Sequence, residues 1–168
     1  AVLRHNGFVN VYGLSTTDNT MPDYVNPPEI FCTGDSRGDQ AMAQTVMENC
    51  LSKDPDINVV YTVNEPAAAG AYTALKAAGK EKGVLIVSID GGCAGVANVQ
   101  AGIIAATSQQ YPLLMASMGV DAVVDYATTG KKVSGYVDTG VTLITDNPMP
   151  GIDSKDSAYG LDKCWGEK

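Results

Sequence analysis

Asn64 and Asp90 each directly follow a run of β-branched or aliphatic residues, and Gln109 and Gln110 come one residue after another such run. Planar amides and carboxylates make at least two hydrogen bonds each. Arg4 adds a guanidinium near the start. Arg, Asn, Asp and Gln together suit a neutral, polyhydroxylated ligand. Their carboxylate and amide oxygens accept from hydroxyls, and their guanidinium and amide N–H groups donate to hydroxyl oxygens. Such a site works best when closure excludes competing water. Gln109 and Gln110 point in alternate directions, so at most one of them faces a ligand. Each residue has a plainer role open to it. Asn64 is a good helix cap, Asp90 a good start for an Asp-Gly turn, and Arg4 a good surface residue. Their common position after strands is what groups them.

The same residue types offer little for catalysis. There is no phosphate-binding GxxxxGK[ST] loop. His5 is the only histidine and has no evident nucleophile as a partner. Asp90-Gly91-Gly92 does not make GxGxxG, and the acidic cluster and lysine of a phospho-acceptor domain are not visible. The expectation is a protein that is not an enzyme, with no catalytic residue, metal or cofactor. Cys32, Cys50, Cys93 and Cys164 form no CxxC pair, which leaves a zinc site poorly supported. An even count fits two disulfides in an oxidising compartment, with three connectivities open. Four buried free thiols are the alternative. The pairing we expect is Cys32 with Cys50 and Cys93 with Cys164. A net charge of −8 repels phosphate backbones and disfavours nucleic acid as a partner.

Positioning these residues requires alternating strands and helices. A short helix is expected over 4–14, then a polar, proline-rich loop from Ser15 to Pro28. Strands are expected at Glu29–Thr33, Ile57–Val63, Val84–Ile89, Ile103–Thr107 and Gly140–Thr145. Between them, helical spacing of apolar residues predicts helices over 40–52, from Asn64 to about Gly79, over 93–101 and over 112–128. The tail beyond Asp146 reads as turns. This alternation implies parallel βαβ units, hence an α/β fold in three α/β/α layers with right-handed crossovers. In open sheets of this kind ligands sit beyond the carboxyl ends of the strands. The chain starts Ala1-Val2-Leu3-Arg4, without Met or a visible secretory signal, and reads as a processed or truncated product.

Several runs resemble one family. Ile57-Asn58-Val59-Val60-Tyr61-Thr62-Val63-Asn64-Glu65-Pro66-Ala67-Ala68-Ala69-Gly70 is similar to the ribose- and fructose-type periplasmic sugar-binding proteins of ABC importers. So are Val84-Leu85-Ile86-Val87-Ser88-Ile89-Asp90-Gly91-Gly92-Cys93, Ala105-Ala106-Thr107-Ser108-Gln109-Gln110-Tyr111-Pro112, and Arg4-His5-Asn6-Gly7-Phe8. Asp138-Thr139-Gly140-Val141 resembles the family's last crossing between lobes. The resemblance implies one lobe of a type I periplasmic binding fold with the first lobe missing. Residues 1–110 would be the second lobe without its first strand. Residues 111–139 would supply a helix and strand to the absent first lobe, and 140–168 would return. It further implies that Arg4, Asn64, Asp90 and Gln110 bind a monosaccharide, with Asp39 near another pocket position. Where the family often places an aromatic platform, this chain reads Ser36-Arg37-Gly38-Asp39.

The partners implied are a fructose- or ribose-like sugar, the membrane subunits of an ABC permease, and a first lobe or other chain covering 111–139. The location implied is periplasmic or extracellular, with a lipid anchor in a Gram-positive source. An alternative is the effector-binding domain of a sugar-responsive transcription regulator, which shares the fold. A small flavodoxin-like enzyme or signalling domain is a third.

Overall fold

The computed structural model describes residues 2–12 and 30–167. Helix α1 spans Val2–Val9 and ends in a short 3-10 turn over Asn10–Tyr12. The expected loop at 15–28 lies outside the described residues. After it come α2 (Gln40–Lys53), β1 (Val59–Tyr61), α3 (Glu65–Ala77), β2 (Leu85–Asp90) and α4 (Cys93–Gln100). The chain continues through β3 (Ala106–Gln109), α5 (Pro112–Thr129), β4 (Thr142–Ile144) and α6 (Ser157–Lys163). The sheet order is β1-β2-β3-β4. The first three strands run parallel, in a register that pairs Tyr61 with Val87 and Asp90 with Gln109.

Local chemistry explains where the helices begin and end. Asp39 caps α2 by accepting from the Met42 N–H at 2.8 Å, and Asn64 caps α3 by accepting from the Ala67 N–H at 3.1 Å. Beyond α3, Gly79 takes φ +68°, and Gly130 closes α5 at φ +73°, conformations that cost glycine nothing. Along α3 the small residues Ala67, Ala68, Ala71 and Ala74 are buried with Leu75. They let α2 approach so closely that a Cβ on Gly70 would lie 2.1 Å from the Gln40 carbonyl oxygen.

The core sits between this helical layer and one face of the sheet. Met47, Leu75, Ile86, Val96, Ile104 and Ile144 meet there, and full burial of each large side chain stabilises the fold by about 1.5–3 kcal/mol. Strand alternation sends Val60 to this core and Tyr61 to the other face, where its ring stacks on Phe8 of α1 with centroids 4.4 Å apart. Helix α1 is thus the opposite layer. It covers that face only in part, because Val59 and Leu85 remain exposed.

Four expectations need correction. Ile30–Thr33 is not a strand, and Glu29 lies outside the described residues. A strand needs a hydrogen-bonding neighbour, and among the described residues none pairs with this segment. Instead, Ile30–Gly34 and Ile57–Val63 line a cavity of about 520 Å³, while Phe31 is 68% exposed. The strand expected at Ile103–Thr107 lies three residues later at one end and two at the other, at Ala106–Gln109. Gly102 turns the chain after α4, and the Ile103 and Ile104 N–H groups both donate to the Asn98 carbonyl, so these apolar residues pack from a turn.

Strand β4 joins antiparallel to β3, with Thr142 opposite Gln109. Its predecessor α5 has no buried residue and forms no crossover over the sheet. The chain therefore leaves β3 and re-enters β4 at the same end. Finally, the tail carries α6, capped by Asp156 accepting from the Tyr159 N–H at 2.8 Å. Gly160 seats α6 on the core, since a Cβ there would lie 2.8 Å from Val96 Cγ1.

Candidate ligand site at the carboxyl ends of the strands

Three of the five residues singled out in the sequence meet at one edge of the sheet. Asp90 ends β2, Gln110 follows β3, and Arg4 reaches them from α1. The Asp90 carboxylate forms an ion pair with Arg4 through Oδ1 and Nη2 at 2.9 Å, and the same oxygen accepts from Gln110 Nε2 at 2.8 Å. Arg4 Nη1 also donates to the Val63 carbonyl at 2.6 Å, which ties α1 to the end of β1. Side-chain exposure is 32% for Arg4 and 14% for Asp90, so the pair is shielded yet reachable. Among the described residues no hydrogen bond reaches Asp90 Oδ2.

Asn64 is next to Val63 but is not bonded to this cluster. Its Oδ1 caps α3, and its Nδ2 donates to the Gly38 carbonyl at 3.0 Å. Each end of that amide retains capacity for one further bond. Gly38 itself sits at φ +72°, and a Cβ there would be 2.6 Å from Asn64 Nδ2. Asp39, the next residue, is exposed and serves as the α2 cap. No bond joins it to Arg4, Asp90 or Gln110. Gln109 is fully buried and faces away, with Nε2 donating to the Gly91 and Gly160 carbonyls at 2.9 and 3.0 Å. Gln110 is therefore the member of the pair that joins the cluster.

The turn bearing Asp90 is held in an unusual backbone conformation. Asp90 lies at φ 138°, where L residues are rare, and Gly91 lies at φ +71°. Such a residue costs about 1–3 kcal/mol and persists only where its surroundings enforce it. Three elements do so here. The Asp90 carbonyl accepts from the Gln110 N–H at 3.0 Å and from Trp165 Nε1 at 3.4 Å. The Cys93 N–H donates to the Trp165 carbonyl at 2.9 Å, and the Cys93–Cys164 disulfide pins the tail to the start of α4. Beneath the turn lies Glu65, 7% exposed. The second disulfide joins Cys32 to Cys50.

Burial sets the ionisation of these groups. It pushes the Asp90 carboxyl above its ordinary value, against the opposing pull of the Arg4 charge and the Gln110 amide. Glu65 is raised by the same cause, against hydrogen bonds from Thr107, Gly91 and Gly92. The Tyr61 phenol is pushed up to about 12 by burial, partly offset by Arg4. The cluster brings together a guanidinium, a carboxyl group and an amide, the groups that hydrogen-bond hydroxyls.

Sequence reasoning missed Glu65, Thr107 and Trp165. Glu65 stands directly after the cap Asn64, as the first residue of α3. Its neighbour Asn64 drew attention instead.

An open, mostly parallel α/β sheet with a polar cluster at its carboxyl edge is the arrangement in which ligands sit at the strand ends. The chain belongs to the periplasmic binding protein domain family, whose pattern matches residues 2–132. It is 36% identical over 108 residues to the ribose import binding protein RbsB of Haemophilus influenzae, covering 64% of this chain and 36% of that protein. Among solved structures, it is similar to an ABC transporter solute binding protein from Agrobacterium vitis with bound D-fucose. That match has 30% identity and a TM-score of 0.59, over 66% of this chain and 38% of that one. It is also similar to the Caulobacter myo-inositol binding protein bound to myo-inositol, with 29% identity and a TM-score of 0.61, over 64% and 37% of the two chains. The chain spans about a third of the length of the curated relatives it matches. The names of these relatives are those of binding proteins, not of enzymes.

Proposed function

We propose that this chain is part of the solute-binding subunit of an ABC sugar importer. The subunit binds a monosaccharide, fructose- or ribose-like, between two lobes and delivers it to the membrane permease. The observation that carries this reading is the meeting of Arg4, Asp90 and Gln110 at the strand ends. Asp90 accepts from sugar hydroxyls, Arg4 and Gln110 donate to them, and Asn64 uses the remaining capacity of its amide. Closure of a second lobe excludes water and strengthens each bond, by a hinge motion that the ligand favours through its higher affinity for the closed form. The D-fucose and myo-inositol of the similar structures are neutral polyols, as this chemistry requires.

In this reading residues 1–110 form most of the second lobe, 111–139 contribute a helix and strand to the first lobe, and 140–168 return. Two features support that division. The described helix of the 111–139 segment, α5, exposes Leu113, Leu114, Val120, Val123 and Val124, a face that a first lobe would cover. Among the described residues no strand pairs with the outer edge of β1, and the cavity beside it has room for one more strand, ahead of α1 in a longer protein. Two disulfides support an oxidising, periplasmic or extracellular location rather than a cytoplasmic regulator. In a Gram-positive source the subunit would carry a lipid anchor.

The test is calorimetric titration of the native protein, whole as its source makes it, with D-ribose, D-fructose, D-allose, D-fucose and myo-inositol. The expected result is saturable heat with a Kd in the micromolar range or tighter for at least one. Absence of heat with every sugar overturns the proposal.

A further inference from the structure

The buried carboxylate of Glu65, at the start of α3, links the turn after β2 to Thr107 of β3. Glu65 is the first residue of α3, directly after Asn64 at the end of β1. Its Oε1 accepts from the Gly91 N–H at 2.8 Å and from Thr107 Oγ1 of β3 at 2.7 Å. Its Oε2 accepts from the Gly92 N–H at 3.0 Å. Two consecutive amides of the Asp90 turn are thus drawn onto one carboxylate. The site is shaped around it: a Cβ on Gly95 of α4 would fall 1.8 Å from Glu65 Cδ.

We infer that Glu65 is a positioning residue, which holds Asp90 in its strained backbone conformation and so fixes the carboxylate that receives the sugar. The inference rests on the proposed role of Asp90 in ligand binding. The φ of 138° at Asp90 is unfavourable in isolation. The bonds to Gly91 and Gly92 immediately downstream are charge-assisted, the stronger kind, the first buried and the second partly so. With them, Asp90 Oδ1 is held between Arg4 and Gln110 and the carboxylate keeps one orientation. Without them, Asp90 relaxes toward ordinary extended backbone and the carboxylate turns away from both partners. Because the same residue opens α3, the backbone that presents Asn64 and the backbone that presents Asp90 move as one unit.

Glu65→Gln keeps the size of the side chain but sets an amide where two oxygens accept from three donors. One N–H of the turn, or the Thr107 hydroxyl, then faces another donor. The readouts are the amide resonances of Gly91 and Gly92 in this chain, the 13C titration of the Asp90 carboxyl, and sugar affinity in the native protein. We expect both glycine amides to shift in Glu65→Gln and the Asp90 midpoint to change. Sugar affinity should fall about tenfold or more, as expected from losing one charge-assisted bond.

A wild-type pH titration covers the case in which the variant does not fold. The Gly91 and Gly92 amides should follow the Glu65 carboxyl signal. Asp90, which faces the same turn with Arg4 and Gln110 around it, is tracked separately in the same spectra. Glycine amides that ignore Glu65 in the titration, or a folded Glu65→Gln with the wild-type Asp90 midpoint, overturn the inference. If the wild-type native protein binds none of the sugars, the functional proposal fails by itself, and the two NMR readouts still decide whether Glu65 positions Asp90.

Discussion

Asp90→Ala will reduce the affinity of the native protein for its monosaccharide by about a hundredfold, within a range of roughly ten- to a thousandfold. A sugar hydroxyl on a carboxylate makes a charge-assisted bond of about 1.5–3 kcal/mol, and one or two such bonds are lost. The substitution also strips Arg4 and Gln110 of their shared acceptor. The guanidinium, still held by the Val63 carbonyl, is then a shielded charge without a counter-charge. Asn64→Ala makes a useful contrast. It removes a helix cap worth about 1 kcal/mol of stability together with any bond to the sugar, so both unfolding and binding move. Asp90→Ala also unpairs Arg4, so unfolding should move as well, with the larger change in binding. Calorimetry beside urea unfolding separates the two. Unchanged affinity in Asp90→Ala would remove the residue from the site.

The largest effect on stability should come from the disulfide behind the Asp90 turn. Cys93 and Cys164 are 71 residues apart, and closing a loop of that size removes about 4 kcal/mol of unfolded-state entropy in the chain-entropy account. Cys32 and Cys50 are 18 apart, worth about 3 kcal/mol by the same account. A Cys93→Ser/Cys164→Ser double variant should therefore unfold at a clearly lower urea concentration than wild type. Its loss should exceed that of Cys32→Ser/Cys50→Ser. The difference has a functional side. Cys93 follows Asp90-Gly91-Gly92 directly, and Trp165 beyond Cys164 hydrogen-bonds the turn, so the first variant should also weaken sugar binding. Equal unfolding midpoints in the wild type and this variant would contradict the account.

Much of the scaffold was legible because its signals are local. Asn64 announces a helix start, Gly79 a stop, and the run at 84–89 has the composition of a buried strand. Local signals also misled. Ile103 and Ile104 are as apolar as strand residues, but they enter the core from a turn, and apolarity alone does not separate the two. Ile30–Thr33 has strand composition without a partner strand, and pairing is a property of the whole sheet. The direction of β4 follows from α5 not packing on the sheet; strand–helix alternation alone read as a parallel unit, whereas the resemblance placed 111–139 outside this lobe.

The same divide runs through the candidate site. Asp90 and the pair Gln109 and Gln110 were found because strand ends of a parallel sheet share an edge; Arg4 as a binding residue, and Gln110 over Gln109, came from the family resemblance. Glu65 was not found, because a buried acid that binds two glycine amides and a threonine 42 residues away has no one-dimensional mark. Its trace in the sequence is indirect: glycine at 91 and 95, where bulk would collide with Gln109 and with Glu65 itself.

A crystal structure of the native protein grown with its sugar tests the central claim most directly. The account predicts sugar hydroxyls within hydrogen-bonding distance of the Asp90 carboxylate, the Arg4 guanidinium and the Gln110 amide, at the carboxyl edge of the sheet. A sugar bound elsewhere, with these three side chains touching only one another, would contradict it.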